Sequence, residues 1–329
     1  MKVGYALREI REHGSDAQWW RKRFLTHVVS RYYDAFPPER SRVVDEDWDN
    51  LLLLDACRYD LFAEVLADHP LPGELSLRKS AESGTPGYLR ENFEGAQFHD
   101  IVYVTANPYV NTNLPEDTFH EVVPVWKDGW DDEERTVLPE AMLEAARDAN
   151  ERHPDKRLLV HFNQPHVPFV GEVRLGDRGI GNLRKRALGE EKTDARERNR
   201  TPFEMLGAGE VSKEQVWEAY RSNLERVFPT VETLLSELPG RTAVTADHGN
   251  ALGEWAKPFP VRVYGHPLGI LIPALIDVPW LVHDDGTRKR IRADAPVGVR
   301  EDDEDDTDAE EDEVDEATRE RLRDLGYAE

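Results

Sequence analysis

Residues 242–250 read Thr-Ala-Val-Thr-Ala-Asp-His-Gly-Asn, and residues 50–55 read Asn-Leu-Leu-Leu-Leu-Asp. The first is a short β-branched run that predicts a strand, closing on Asp247 and His248, with Gly249 free to turn without a Cβ clash. The second is a continuous apolar run of the kind buried on both faces in parallel sheets. It ends in Asp55, whose charge needs a cation, hydrogen-bond donors or the sheet's edge. In open α/β sheets, ligands bind outside the carboxyl ends of strands. Two acidic strand ends, one with an imidazole beside it, therefore read as halves of one site. For Asp55 alone, an N-cap of the following helix is an equal alternative.

Further strands are expected at 100–105, 119–126, 157–162 and around 269–276, with helices at 58–68, 133–152 and 212–238. The alternation predicts an α/β fold, a mostly parallel central sheet flanked by helices. Residues 1–45 read as a helical extension, with Trp19, Trp20, Arg21, Lys22, Arg23 and Phe24 together. That patch predicts a helix packing both Trp on the main domain, with peripheral membrane contact as the alternative. The catalytic domain is placed at 46–298, with an insert at 171–210. Its Gly- and Arg-rich stretch, 173–200, holds nine basic against five acidic residues. It is a solvated loop, or an arginine cover that attracts an anion. An acidic linker at 299–316 is expected to be disordered, and a helix follows at 317–329.

The net charge is −24, with 10 Lys against 32 Arg. Thirteen acids lie between 301 and 316, so the excess is partly local, yet the remainder is still acidic. Such a surface suits a high-salt cytoplasm and argues against nucleic acid as a partner. The single Cys57 excludes an internal disulfide. No signal-like or membrane-spanning run is apparent, and a cytoplasmic location is expected.

Three more clusters carry chemistry. Ser83-Gly-Thr85-Pro86 puts two hydroxyls at a helix start, where free backbone N–H groups favour an oxyanion; simple capping is the plainer reading. His161-Phe-Asn163-Gln-Pro-His166 follows an apolar strand and is stiffened by proline. His266 lies just downstream of the Asp247-His248 pair.

The wording Leu-Leu-Leu-Asp55-Ala-Cys-Arg-Tyr-Asp60 together with Thr-Ala-Asp247-His248-Gly-Asn resembles the alkaline phosphatase superfamily, in its sulfatase-like and lipoteichoic-acid-synthase-like branch. Asp-His-Gly-Asn also resembles the cofactor-independent phosphoglycerate mutases, and Leu-Arg-Asp-Leu-Gly-Tyr327 resembles sulfatase C-termini. The resemblance implies that Asp55, Asp247 and His248 bind a divalent cation (Mn, Mg, Ca or Zn). It makes Thr85 the nucleophile and fourth ligand, with Ser83 the alternative. It puts His166, and secondarily His161, on the substrate anion, and gives His266 to a second ion, with Asn163 a weaker companion there, or to the substrate. Arg58 is expected to bind non-bridging oxygens or protonate the leaving group.

Three departures bear on the reaction. No Cys-X-Pro-X-Arg sequence is present, so formylglycine is not expected and phosphate esters are favoured over sulfate. Ala56 stands where sulfatases have a second Asp. No Asp-X-X-X-His of the two-metal phosphatases stands near 161–166. The expectation is a metal-dependent phosphoester hydrolase or phosphotransferase acting on an anionic ester, sugar- or lipid-linked in one variant of the reading. The alternatives are sulfate ester hydrolysis and non-catalytic binding of an anionic glycan.

Overall fold

The apolar run Asn50–Leu54 forms the middle strand, β1, of a seven-stranded sheet. The computed structural model describes residues 16–176, 179–190 and 199–297, with residues 11 and 14. The other strands of this sheet are β2 (Glu74–Lys79), β3 (Phe98–Thr105), β4 (Phe119–Pro124), β7 (Arg157–Phe162), β8 (Arg241–Thr245) and β11 (Asp277–Asp284). The two-residue strands β5 (Trp130–Asp131) and β6 (Thr136–Val137) make a small ribbon, and β9 (Ala251–Trp255) with β10 (Arg262–Gly265) makes a second.

The sheet order is β2-β11-β8-β1-β7-β3-β4, and only β11 runs against its neighbours. The expected architecture, a mostly parallel sheet between helices, is the one observed. Two details differ. The apolar stretch at 269–276 is no strand: it ends in a short helix, Pro273–Ile276, and the strand follows it. Hydrophobicity there reflects burial beneath the N-terminal segment, not strand pairing. The half-exposed strand β2 lacks an apolar run and gave no signal.

One face of the sheet packs on helices Tyr59–Asp68, Pro139–Arg152 and Lys213–Glu237, whose apolar positions join Leu52, Leu54, Val160 and Val244 in the larger core. The helix expected from 133 starts only at Pro139, because 130–137 is spent on the small ribbon. The longest helix is fixed at its start by a reciprocal cap between Ser212 and Gln215. The opposite face, with Leu51, Leu53 and Leu159, is covered by helix Thr85–Phe93, through Tyr88, Leu89 and Phe93.

A third core joins the N-terminal helical segment to the β9–β10 ribbon. Leu25, Val29 and Tyr33, four residues apart, pack with Val263, Ile270 and Leu275. Of the two Trp expected to pack inward, Trp20 does not: it is 47% exposed and meets the half-buried Trp19 edge-on. Within the insert, Gly181–Ala187 and Pro202–Ala208 are helical. The acidic linker from 299 and the helix expected at 317–329 lie outside the described residues. No described helix is long and apolar enough to cross a membrane.

Candidate metal centre

Three neighbouring strands deliver the central groups. Asp55 follows β1, His161 lies in β7, and Asp247 with His248 follows β8. One ligand atom from each of Asp55, His161 and Asp247 lies within 4.8 Å of the others, and all three residues are buried. His248 places its Nε2 3.6 Å from Asp55 Oδ1 and 3.6 Å from Asp247 Oδ2. Thr85, the first residue of its helix, donates its hydroxyl to Asp247 Oδ2 at 2.7 Å. Gly84 caps that helix, with Pro86 in its first turn.

The donor set fits a divalent cation on an observation internal to the protein. Asp55 Oδ1, His248 Nε2 and His161 Nε2 are buried and have no hydrogen-bond partner among the described residues. Buried polar atoms are otherwise nearly always paired. The His248 tautomer follows from its other nitrogen: Nδ1 is 2.9 Å from the carbonyl of Gly249, which can only accept. Nδ1 therefore carries the proton, and Nε2 turns its lone pair towards the two carboxylates. Two carboxylate oxygens, imidazole nitrogens and a hydroxyl are ligands for zinc- or manganese-like ions.

The supporting groups are built into the same strand ends. Asp247 Oδ1 accepts from the backbone N–H of Ala56 and of His248, both at 2.9 Å. Ala56 adopts φ 61, a left-handed conformation unusual for a residue with a Cβ, and this aims its N–H at Asp247. Asp55 Oδ2 accepts from Asn107 Nδ2 at 3.0 Å. Gly249 is required sterically: a Cβ there would meet the Ala274 carbonyl at 2.4 Å.

Protonation in the metal-free site follows from burial. Burial pushes the Asp55 carboxyl well above its usual range, the Asp247 charge adds to this, and the Asn107 hydrogen bond only partly offsets it. Burial opposes the Asp247 charge too, but His248, His161 and the donors Ala56 and Thr85 outweigh it and hold that carboxyl low. Burial lowers His161 to about 4, so its imidazole is neutral at neutral pH. Its Nδ1 is 3.0 Å from the Tyr103 hydroxyl.

No family model matches the chain, and no curated protein matches it in sequence.

Solved structures align with it at low identity. The soluble domain of lipooligosaccharide phosphoethanolamine transferase A from Neisseria meningitidis is 13% identical, with TM-score 0.42, over 71% of this chain and 75% of that one. The integral membrane form of that protein is also 13% identical, with TM-score 0.44, over 88% of this chain but only 60% of its own. A phosphonate monoester hydrolase from Silicibacter pomeroyi is 13% identical, with TM-score 0.38, over 73% of this chain and 68% of its own.

The remaining expected site residues fall into place as follows. His161, expected on the substrate anion, sits instead beside the Asp55 and Asp247 carboxylates, its Nε2 3.9 Å from Asp247 Oδ2. His166 and His266 meet Nε2 to Nε2 at 3.2 Å, and the rings of His248 and His266 lie 4.5 Å apart, so both join the site's rim. His166 Nδ1 is 2.7 Å from the Val167 carbonyl and so carries a proton, which leaves Nε2 to accept from His266.

Ser83 is fully buried, and its hydroxyl lies 2.9 Å from Glu82 Oε1 and 3.0 Å from the Pro267 carbonyl; this ties the turn to the 267–270 loop. Arg58 differs from expectation. Its guanidinium donates to Asp60, Glu254 and the Asn250 carbonyl and rests over Trp217, so it clamps the β1 turn to β9. Asn163 donates to Thr136 of the small ribbon. Three arginines of the insert find partners elsewhere: Arg174 pairs with Glu134, Arg184 donates to the Trp126 and Lys127 carbonyls, and Arg200 pairs with Glu210.

Sequence reasoning passed over Asn107 and Asn223. Asn107 stands two residues past β3, so the strand-end rule that found Asp55 would have found it. Asn223, buried in the longest helix, donates to the carbonyls of Pro165, His166 and Pro168 and accepts from Val170 N–H. Nothing in its helical context marks that task.

Proposed function

We propose that the chain is a metal-dependent enzyme that hydrolyses or transfers phosphoryl esters, with Thr85 as nucleophile. The observation that carries the reading is the buried Thr85 hydroxyl on Asp247, set among the unpartnered atoms of Asp55, His161 and His248. Asp55, Asp247, His248 and Thr85 hold the ion, with His161 as a further nitrogen. When bound, a divalent cation in this set lowers the pKa of the Thr85 hydroxyl and offsets charge on the phosphoryl oxygens.

The chain's own groups supply the rest. Asp247 already accepts the hydroxyl hydrogen bond and so orients Thr85 Oγ1, whose proton passes to bulk water as the hydroxyl ionises. Oγ attacks phosphorus, the bond from phosphorus to the ester oxygen breaks, and the leaving oxygen takes a proton from the His166–His266 pair. Water or another alcohol then attacks the phosphothreonine and gives its proton back to the His166–His266 pair, the Oγ1–phosphorus bond breaks, and Thr85 takes a proton from water. His166 and His266, on the rim, are placed to bind non-bridging oxygens. The absence of a formylglycine sequence supports phosphate over sulfate esters.

The test is Thr85→Ala, assayed with a chromogenic phosphodiester alongside metal analysis. Turnover should fall by about 10³-fold or more while the thermal midpoint stays near wild type. Full activity in Thr85→Ala would refute the scheme, since Ser83 is already committed to Glu82 and Pro267. Wild-type protein that binds no divalent ion would refute it equally. Partition of the phosphoryl group to an added alcohol separates transfer from hydrolysis.

A further inference from the structure

We propose that the N-terminal helical segment is an interfacial docking face that seats the protein on an anionic lipid surface. Helix Ala17–Phe24 continues through a π-helical turn, Leu25–Val29, into helix Ser30–Ala35. Leu25, Val29 and Tyr33 bury one stripe against the β9–β10 ribbon, and this fixes the segment's orientation. The adjacent stripe, Trp20, Phe24 and Val28, is 47%, 38% and 43% exposed.

Trp255 on β9 and Phe36 at the segment's end extend it, at 46% and 67% exposed. Five of the eight large exposed apolar side chains among the described residues thus belong to this segment and its ribbon. Scattered apolar residues need no explanation, but a concentration of this kind marks an interaction surface.

Charge identifies the occupant. The chain carries −24, yet residues 16–36 hold Arg21, Lys22, Arg23 and Arg31 against only Asp16 and Asp34. Arg23 lies over the Trp19 ring at 4.6 Å and Arg262 over the Trp255 ring at 4.2 Å, so cations flank the indoles. Indole rings at headgroup depth with basic residues beside them are the chemistry of binding in the plane of an anionic bilayer. A twofold dimer through this face would set the same four cations against their copies, which disfavours self-association. The face adjoins the site: Arg21 stacks on Tyr264, two residues before His266, and Ser30 packs on Gly269. The inference concerns binding alone and does not depend on the phosphoryl chemistry.

The experiment is co-sedimentation of the full chain with vesicles of phosphatidylcholine alone or mixed with phosphatidylglycerol. Wild-type protein should partition onto the anionic vesicles with a blue-shifted tryptophan emission. A Trp20→Ser/Phe24→Ser double variant should bind at least about tenfold more weakly. Lys22→Glu and Arg31→Glu should each weaken binding to anionic vesicles by roughly fivefold or more. The Lys22→Glu and Arg31→Glu variants should keep the wild-type thermal midpoint, and the double variant should lose only the Phe24–Phe259 contact, because the Leu25, Val29 and Tyr33 stripe is untouched. Thr85→Ala must bind vesicles as wild type does, so loss of the catalytic reading leaves this test intact. Failure of wild type to bind anionic vesicles, or equal binding by the double variant, overturns the proposal. So does a concentration-dependent dimer that the double variant abolishes without any vesicle binding.

Discussion

Replacing Asp55 by Asn separates what the site does for metal binding from what it costs the fold. In the metal-free protein Asp55 and Asp247 are two buried carboxylates with ligand atoms within 4.8 Å. Two unit charges at that separation repel by about 3.5 kcal/mol at an effective dielectric near 20. Proton uptake by Asp55, whose carboxyl is raised by burial and by Asp247, relieves part of this. A net gain of about 1–3 kcal/mol is therefore expected for metal-free Asp55→Asn, or roughly 1.5–4.5 °C in thermal midpoint for a chain of this length.

The amide also fits. Its oxygen can keep the Asn107 hydrogen bond, and its N–H₂ faces His248 Nε2, which has a lone pair to accept it. The pH dependence has a fixed sign. A carboxyl raised in the folded state binds more protons there, so its contribution to stability is present at low pH and lost as pH rises through the folded value. The advantage of Asp55→Asn should grow with pH accordingly. Calorimetry in a chelator checks this, and repeating it with saturating divalent ion should reverse the order, since only wild type gains binding energy. A metal-free Asp55→Asn protein that melts below wild type near neutral pH would refute the repulsion, and with it the crowded, cation-demanding site.

Three further outcomes follow from the same geometry. Asn223→Ala should loosen the loop bearing His166, costing roughly 2–3 kcal/mol for the abandoned carbonyls; kcat should fall more than KM, and a shifted pH–rate profile separates misplacement of His166 from simple destabilisation. Arg58→Ala should cost about 2–3 kcal/mol in denaturant unfolding, less than the ~3–5 of a fully buried pair, because Asp60 is 55% exposed; wild-type stability would show that the clamp to Glu254 is idle. His161, lowered by burial to about 4, must stay neutral in the fold while the unfolded chain protonates near its ordinary value. Its contribution is complete above about pH 6.5 and lost as pH falls towards 4, by about 3 kcal/mol. Metal-free His161→Gln should lack that acid limb in pH-dependent unfolding, and an unchanged limb would place the titration elsewhere.

The parts of the fold visible in the sequence were those whose burial leaves a one-dimensional trace. β1, β7 and β8 lie inside the sheet and carry buried apolar or β-branched runs, so their ends and the polar residues there stood out. β2 is half exposed and pairs only with β11, so its sequence, Glu-Leu-Ser-Leu-Arg-Lys, carries no such contrast. The stretch at 269–276 misled because burial under Leu25 and Val29 selects the same apolar residues as strand pairing does. Asp55, Asp247, His248 and Thr85, which the structure brings together, stood out in the sequence by their positions at element ends. Arg58 was not: adjacency to the site in sequence says nothing of the Asp60 and Glu254 carboxylates that occupy it. The inward role of His161 depends on cross-strand register, which no local pattern encodes.

That register explains why residues nearly two hundred positions apart converge. In the parallel pairings Leu53 lies opposite His161 on one side and Thr245 on the other. Side chains alternate along a strand, so those three share a face, and Asp55 and Asp247, each two residues further, continue it. It is the face covered by Tyr88 and Phe93, on the helix whose first residue is Thr85. One parity therefore gathers two carboxylates, an imidazole and a hydroxyl. A one-residue slip of β8 against β1 would turn Asp247 to the opposite face, among the helices of the larger core, and dissolve the site. The slip is opposed at both ends of the strand pair. Asn50 donates to Thr242 and to the Pro239 carbonyl before the strands begin, and Ala56 N–H grips Asp247 after they end. The positive φ of Ala56 is what lets the N–H reach, and its carbonyl is held in turn by the Tyr220 hydroxyl. The strain of roughly 1–2 kcal/mol in that one residue is stored where it fixes the register on which the cluster of Asp55, His161 and Asp247 depends.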